Sequence, residues 1–375
     1  DKSLLKSLSW KGDAFCKTLL EYKKYSKLLA TYIEPFTKGA QLDGKLHGSI
    51  NQAGREDSYG DGTQGTHTGR LASSQPNLQN IPSRTQEGRE VRKLFVSSGK
   101  ESHMFVSDLA QIEPRLVAHY TQAPKLIHAY ANNLDTHRLF ASDIFGTNMP
   151  TKTERFIGKS SWLATVYGCS YRKLLTICEN FSDDPLVLEL DSYYKEYDSL
   201  KEDCDSFCKF GCKKHLISHV GKDARTIYAQ WMFFKNVQDT FKDKNRELFD
   251  WRDSHISRTR RLGYVITLGG RKIDITGLQS KSFKDRAKAE RKTVNYLIQG
   301  SAADGIKQIM IQAHQRLVLP KKGRIFAVVH DELLGEVFDP KDIELVKDIM
   351  ENTIKLRNVS VKADTKLISN WGEKA

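Results

Sequence analysis

The chain predicts an α+β fold, with a few antiparallel strands among long helices. Three observations lead there. First, Ile325-Phe-Ala-Val-Val-His-Asp-Glu-Leu-Leu-Gly-Glu-Val-Phe338 holds two apolar, β-prone runs around a polar break at His330-Asp331-Glu332. That pattern reads as a strand, a tight turn and a returning strand. Second, Met104 to Val106 reads as a strand running into Asp108, after which the chain turns into a helix. Pro114 is compatible with the first turn of that helix, where its missing N–H costs little. Third, the stretches between carry apolar residues at helical spacing.

Buried strands on both sides would hold Asp331 and Glu332 at a fixed point on the sheet. Asp108 would lie at the end of the other strand, far upstream in sequence. Carboxylates held this way suit a hard cation. Two Mg²⁺ ions clamped by two aspartates are a common device for in-line phosphoryl transfer. The plain alternative is a hairpin with a solvated acidic turn, and the second carboxylate-bearing strand weighs against it.

Composition bounds the rest. With 375 residues the chain can build two or three cores, and 39% hydrophobic residues is ordinary for a globular protein. No apolar run approaches the ~20 residues of a membrane span. A net charge of +13 points to a polyanionic partner, nucleic acid first and an anionic membrane second. The six cysteines are unevenly placed and do not resemble a disulfide framework, so a reducing compartment is expected. That makes the cytoplasm the expected location, with an organelle left open. The first residue is Asp and no signal peptide is visible, so a fragment or processed product is expected.

Taken in order, Asp13 to Phe36 has helical periodicity with lysines between, read as an amphipathic helix packing on the next domain or a basic helix beside a duplex. Gly54 to Gly65 is Gly-rich and polar, a loop. Thr68 to Arg84 reads as irregular chain, dense in side chains able to donate to phosphates and minor-groove acceptors. Leu126 to Phe145 reads as one helix containing His137. Thr151-Lys-Thr-Glu154 forms a capping box that opens a helix ending near Gly168. On it Arg155, Lys159, Leu163 and Tyr167 recur every four residues, and the first two would project together near the helix start, suited to a triphosphate or simply to a solvated basic face, against which Leu163 and Tyr167 on the same stripe weigh.

Ser170 to Gln230 is harder to place. Its Cys204, Cys208, Cys212 and His215 are enough ligands for zinc, though the spacing matches no common zinc module and also suits one helical face. Phe233 to Arg260 reads as a charged helix, Gly263 to Arg271 as a hairpin with a Gly-Gly turn, and Asp285 to Gln312 as a helix. On that last helix Arg291, Asn295 and Gln299 form a polar stripe that could face a minor groove or solvent.

Taken together, these stretches resemble the family A DNA polymerases, the group of bacterial DNA polymerase I and many phage replicases; the resemblance implies a phage-like origin, and with it a host's cytoplasm as the location. Ser107-Asp108-Leu-Ala-Gln-Ile-Glu-Pro-Arg115 resembles motif A, and Arg155-x3-Lys159-x3-Leu163-x3-Tyr167-Gly168 resembles motif B. Val329-His-Asp-Glu332 resembles motif C. Thr68-Gly-Arg-Leu71, Pro76-Asn-Leu-Gln-Asn-Ile-Pro82 and Glu290-Arg291-x3-Asn295-x3-Gln299-Gly300 resemble the family's template-binding segments.

The resemblance implies a right-hand fold with an antiparallel palm sheet, helical fingers and a partial thumb. The implied boundaries are 1–40 for the end of the thumb, 41–137 and 286–375 for the palm, and 138–285 for the fingers, with an extended insertion at about 170–230. It also implies roles. Asp108 and Asp331, with the Leu109 carbonyl, would hold two Mg²⁺ ions, for which Mn²⁺ can substitute, and Glu332 would be an accessory carboxylate. Arg155, Lys159 and His137 would hold the triphosphate, with Lys159 a candidate acid for the leaving pyrophosphate. Glu113, beside Gln111 in the nucleotide site, would be the steric gate against a ribose 2′-OH. Tyr167 and Leu163 would border the nascent base pair. Arg70, Asn77, Gln79, Arg291, Asn295, Gln299 and His330 would line the primer–template minor groove. The implied partners are primer–template DNA, deoxynucleoside triphosphates and an accessory or processivity protein, with no membrane.

Some positions depart from the pattern. Leu163 stands where the family usually has Phe or Tyr, Pro114 replaces a Leu, and Val328 stands where Gln is common. The Asn51 to Thr66 loop is also extended. No exonuclease domain and only part of a thumb are expected here, so processivity should be poor. Two other readings stay open. A single-subunit RNA polymerase has a related fold, but Glu113 and the Glu332 ending of motif C argue against it. A catalytically dead DNA-binding relative is disfavoured because Asp108, Asp331, Arg155 and Lys159 are all present.

Overall fold

The computed structural model describes residues 12–41, 43–52, 66–83, 85–181, 188–201 and 224–374, with Leu5, Leu8 and Ser9. The Gly54 to Gly65 stretch, Arg84, and the Cys204, Cys208, Cys212 and His215 cluster lie outside the described residues.

In chain order the elements are α1 (Ala14–Leu28), a π-helical turn (Leu29–Ile33), α2 (Glu34–Gly39), β1 (Ser49–Asn51), β2 (Ala72–Ser74), α3 (Gln86–Arg92) and β3 (His103–Leu109). Helices α4 (Ile112–Thr121), α5 (Pro124–Ala131), α6 (Thr136–Phe145), α7 (Lys152–Val166), α8 (Tyr171–Phe181), α9 (Asp191–Lys201), α10 (Ala224–Lys244) and α11 (Arg246–Leu262) follow. The chain continues with β4 (Tyr264–Ile266), β5 (Lys272–Asp274), α12 (Phe283–Ala313), β6 (Gly323–Val329), β7 (Glu332–Val337), α13 (Ile343–Asn352) and β8 (Ala363–Ile368). The α+β expectation holds.

Two compact units emerge, residues Asp1–Tyr25 with Asn132–Ser254, and Ser26–Ala131 with His255–Ala375. The first is helical. Its core joins Ile157 of α7, Leu174, Leu175 and Cys178 of α8, and Ile227, Trp231, Phe234 and Val237 of α10. Helices α6 and α7 approach closely at Gly158, where an added Cβ would lie 2.8 Å from the Ala141 backbone nitrogen. Backbone cannot retreat as a flexible side chain can. Gly158→Ala is therefore expected to destabilise this unit by about 1–3 kcal/mol through overpacking. Alanine's higher helix propensity offsets at most ~1 kcal/mol of that. A thermal unfolding midpoint at or above the parent's would contradict this.

Two long helices expected from periodicity are in fact broken. The Leu126 to Phe145 segment forms α5 and α6, because Asn133 adopts a left-handed φ of 52° and Asp135 caps α6. An Asx cap competes with helix continuation at such a site. The Phe233 to Arg260 segment spans α10 and α11, which meet at buried Asn245; its side chain donates to the Phe241 carbonyl and to Asp143. Near the N-terminus, Tyr22 and Tyr25 of the expected apolar stripe are exposed, and Tyr32 alone of its tyrosines is buried.

The second unit is built on a four-stranded antiparallel sheet in the order β6–β7–β3–β8. Met104, Val106, Val329, Leu334 and Ile368 of the sheet pack with Tyr32, Phe36, Ile81 and Trp371. Strand β7 is central and buried along its whole length. A β-bulge between Ile325 and Ala327 interrupts its register with β6. The Thr68 to Arg84 segment is less irregular than expected, since β2 pairs with β1 and Leu71, Ser73 and Ile81 are buried.

Glu336 of β7 is fully buried and ionisable. It accepts from the Ser98 N–H at 2.8 Å and the Ser98 hydroxyl at 2.6 Å, with Arg324 at 3.5 Å. Burial alone would raise its pKa, but the Ser98 and Ser102 donors and the Arg324 charge outweigh that and hold it below the ordinary carboxylate value. A depressed carboxylate pKa stabilises the fold above the unfolded-state value and loses that contribution as pH falls through the folded one. Stability should therefore fall on acidification below about pH 4.3. Glu336→Gln should lower the urea midpoint at neutral pH and flatten its acid limb. Equal slopes for both proteins would contradict the assignment.

Candidate active site

The sheet brings the two expected aspartates together. Asp108 lies one residue from the end of β3 and pairs in register with Glu332 of β7. The next N–H along, that of Leu109, donates to the Asp331 carbonyl at 3.2 Å. His330 and Asp331 form the two-residue turn between β6 and β7, with His330 at a left-handed φ of 61°. Positive φ at the first turn position matches the twist of paired strands. The Asp331 carboxyl is pushed up to about 6, first by burial and then by the like charge of Asp108; Glu113 adds to this and Arg70 opposes it. His330, at the turn tip, is held below the ordinary imidazole range by desolvation and by Arg70.

Glu332 departs from expectation. It is the first residue of β7 rather than part of the turn, and it is buried. Its carboxylate accepts from the Trp371 indole N–H at 2.8 Å, and its charge reaches Arg92, which stacks 4.1 Å from the Trp371 ring. These contacts root the hairpin in the core.

Among the described residues, no set of three or more His, Cys, Asp and Glu side chains converges on a metal position. Asp108 and Asp331 nevertheless fit Mg²⁺. That ion is held by hard oxygens, usually one or two carboxylates with substrate phosphates and water completing the shell. Burial first and the repulsion from Asp108 second raise Asp331, and a cation between the two carboxylates would relieve the repulsion.

The first unit holds Arg155, Lys159 and His137, the residues expected at a triphosphate. The α7 capping box is complete, with Glu154 N–H donating to Thr151 at 3.2 Å and Thr151 N–H donating to Glu154 at 2.6 Å. Arg155, Lys159 and Leu163 lie along α7, Tyr167 is its C-cap, and Gly168 follows at φ 81°. Asp135 caps α6 through the His137 and Arg138 N–H groups and accepts from Arg155 Nε at 2.7 Å. Sequence reasoning missed Asp135, although an Asp just before an apolar-periodic run is a recognisable N-cap signal. Burial, and next the Lys159 charge, push His137 down to about 4, so its ring is neutral at pH 7. Its Nδ1 is buried without a hydrogen-bond partner among the described residues.

The remaining predicted residues lie in the second unit. Glu113 is in the first turn of α4, and Arg70 Nη2 donates to its carboxylate. Gln111, at a left-handed φ of 55°, accepts from the Tyr130 hydroxyl at 3.4 Å. Asn77 accepts from the Gln79 N–H at 3.1 Å, and the Gln79 amide donates to the Val328 carbonyl at 3.1 Å. Both side chains thus tie their loop locally and to β6. Arg291 is exposed on α12, with Asn295 and Gln299 half-buried. Arg271 was not foreseen. Its Nη2 donates to the Thr68 carbonyl at 2.7 Å and its Nε to Asp304 at 2.9 Å. Gly69, at φ 78°, leaves room for it, since a Cβ there would lie 2.8 Å from the guanidinium carbon.

Comparison with known proteins places this geometry. A solved structure, the POL domain of Pol1 from M. smegmatis in complex with DNA primer-template and dNTP, superposes with a TM-score of 0.74 at 28% identity. The match covers 99% of this chain and 56% of that one, so the α+β architecture is that of a polymerase domain. DNA polymerase I of Caldicellulosiruptor bescii is 32% identical over 363 residues, 95% of this chain and 35% of the relative. DNA polymerase I of Bacillus subtilis is 33% identical over 363 residues, 94% of this chain and 34% of the relative. The chain thus spans about a third of the length of the curated relatives it matches. No helix among the described residues is long and apolar enough to cross a membrane. The family profile of DNA polymerase family A runs from residue 1 to residue 373, and the chain belongs to that family.

Proposed function

We propose that the chain carries template-directed DNA polymerase activity, adding deoxynucleotides to a primer 3′ end and releasing pyrophosphate. The observation that carries this reading is the Asp108–Asp331 pair, with Asp108 near the end of β3 and Asp331 in the turn that opens the neighbouring β7, and with Asp331 raised by burial and by its neighbour's charge. Asp108 and Asp331, with the Leu109 carbonyl, would hold the metal. When bound, Mg²⁺ supplies charge stabilisation to the attacking and leaving oxygens.

The residues divide the remaining work. Arg155 and Lys159 neutralise the triphosphate, and neutral His137 contributes a hydrogen bond rather than a charge. In the step itself the primer 3′ oxygen bonds to the α-phosphorus and the bond from α-phosphorus to bridging oxygen breaks. The hydroxyl proton passes to solvent, and Lys159 donates one to the leaving pyrophosphate. Glu113 fills the space a ribose 2′-OH would need. Arg70, Asn77, Gln79, Arg291, Asn295, Gln299 and His330 face the primer–template minor groove. We assign 41–137 and 286–375 to the palm, 138–285 to the fingers and 1–40 to the end of the thumb. The partners are primer–template DNA and deoxynucleoside triphosphates, in a reducing cytoplasm.

Leu163 lacks the aromatic face usual at its position. Leu163→Phe should change the incorporation rate or the sugar discrimination by a few-fold, since one such stacking contact is worth about 1 kcal/mol. Identical steady-state kinetics for both proteins would reject that role. The reading as a whole is tested by primer extension with deoxy- and ribonucleotides offered separately. Extension with deoxynucleotides alone supports it. Extension with ribonucleotides alone turns it to an RNA polymerase, and duplex binding without extension turns it to an inactive relative.

A further inference from the structure

We infer that Arg70 is a positioning residue for the sugar gate, holding the Glu113 carboxylate where it can exclude a ribose 2′-OH. The inference rests on the reading of Glu113 as that gate. A glutamate in the first turn of a helix has three free torsions and, unheld, samples many rotamers. A steric gate works only while it stays in place. Arg70 Nη2 donates to Glu113 Oε1; the Glu113 side chain is largely withdrawn from solvent at 19% exposure, and that of Arg70 is half-buried at 35%. The planar guanidinium fork fixes a carboxylate in a way that the point charge of a lysine does not.

The loop that presents Arg70 is itself anchored. Arg271 grips the Thr68 carbonyl at 2.7 Å and is tied to Asp304 at 2.9 Å and to the Gly300 carbonyl at 3.2 Å. Thr66 Oγ1 donates to the Arg70 carbonyl at 3.1 Å, and Leu71 is buried. Arg70 therefore reaches Glu113 from a fixed base. This differs from a role in DNA contact alone, which would affect ribo- and deoxynucleotides equally.

The test is the ratio of kcat/KM for deoxy- over ribonucleotide addition on a primed template. It is measured for the parent, Arg70→Lys, Arg70→Ala, Glu113→Ala and the Arg70→Ala/Glu113→Ala double variant. A ratio taken on one preparation is independent of its active fraction. Arg70→Ala is expected to lower the ratio about tenfold, and about twofold or less once Glu113 is already alanine. Arg70→Lys, which keeps the charge without the fork, should lower it in the same direction. If the Arg70 variants slow both nucleotides equally, or lower the ratio by the same factor with and without Glu113, the inference is overturned. If Glu113→Ala leaves the ratio unchanged, the gate reading itself fails and takes the inference with it. If Arg70→Ala extends nothing, the Arg70→Lys ratio decides.

Discussion

Asp108→Asn is expected to cut the rate constant of nucleotide addition by about a thousandfold or more while leaving the fold at least as stable. Metal-assisted charge stabilisation is worth several kcal/mol, and each ~1.4 kcal/mol is a factor of ten. Asn keeps the shape of Asp108 but removes the negative charge a hard cation requires. The same charge repels Asp331 in the free protein. Removing it relieves a like-charge contact, so the thermal midpoint should hold or rise. Single-turnover extension beside thermal unfolding checks both halves. Loss of activity together with a lowered midpoint would mean that Asp108 serves the fold rather than the chemistry.

Lys159→Ala is expected to cost about 10²–10⁴-fold in kcat, the range for loss of a positioned general acid. Lys159 is exposed on α7 and pairs with no carboxylate among the described residues, so its loss should little affect stability. Arg155→Ala should instead act mainly on KM, because a contact equally good in ground and transition states sets affinity rather than turnover. His137 gives an independent readout. Burial is the larger cause of its low pKa and the Lys159 charge the next. In Lys159→Ala the His137 pKa should therefore rise from about 4 yet stay below the ordinary 6.5, as read by NMR titration of the imidazole. An unmoved titration would show that Lys159 does not face His137.

The parts legible in the sequence were those whose cause is local. The β6–β7 hairpin announced itself through two β-prone runs around a polar break, and Asp108 through the strand leading into it. The α7 start was visible because a capping box needs only residues three apart. Other features depend on partners distant in sequence. Nothing near Glu332 indicates that Trp371 will hold it, or that Arg271 will support the Thr68 to Leu71 loop. The breaks at Asn133 and Asn245 were hidden because apolar spacing continues across them. Only the left-handed backbone at Asn133, the Asp135 cap and the buried Asn245 amide reveal where the helices end. The pairing of Arg70 with Glu113 was equally invisible, since each residue had been read alone.

The central claim is that Asp108 and Asp331 together support metal-dependent nucleotidyl transfer. The most direct measurement is rapid-quench extension of a primed DNA template across a Mg²⁺ titration, with released pyrophosphate counted, for the parent chain and for Asp331→Ala. One pyrophosphate per deoxynucleotide added is expected, with no extension without a divalent ion and none from Asp331→Ala at any Mg²⁺ concentration. Extension by the parent in the presence of a chelator, or sustained extension by Asp331→Ala, would contradict that claim.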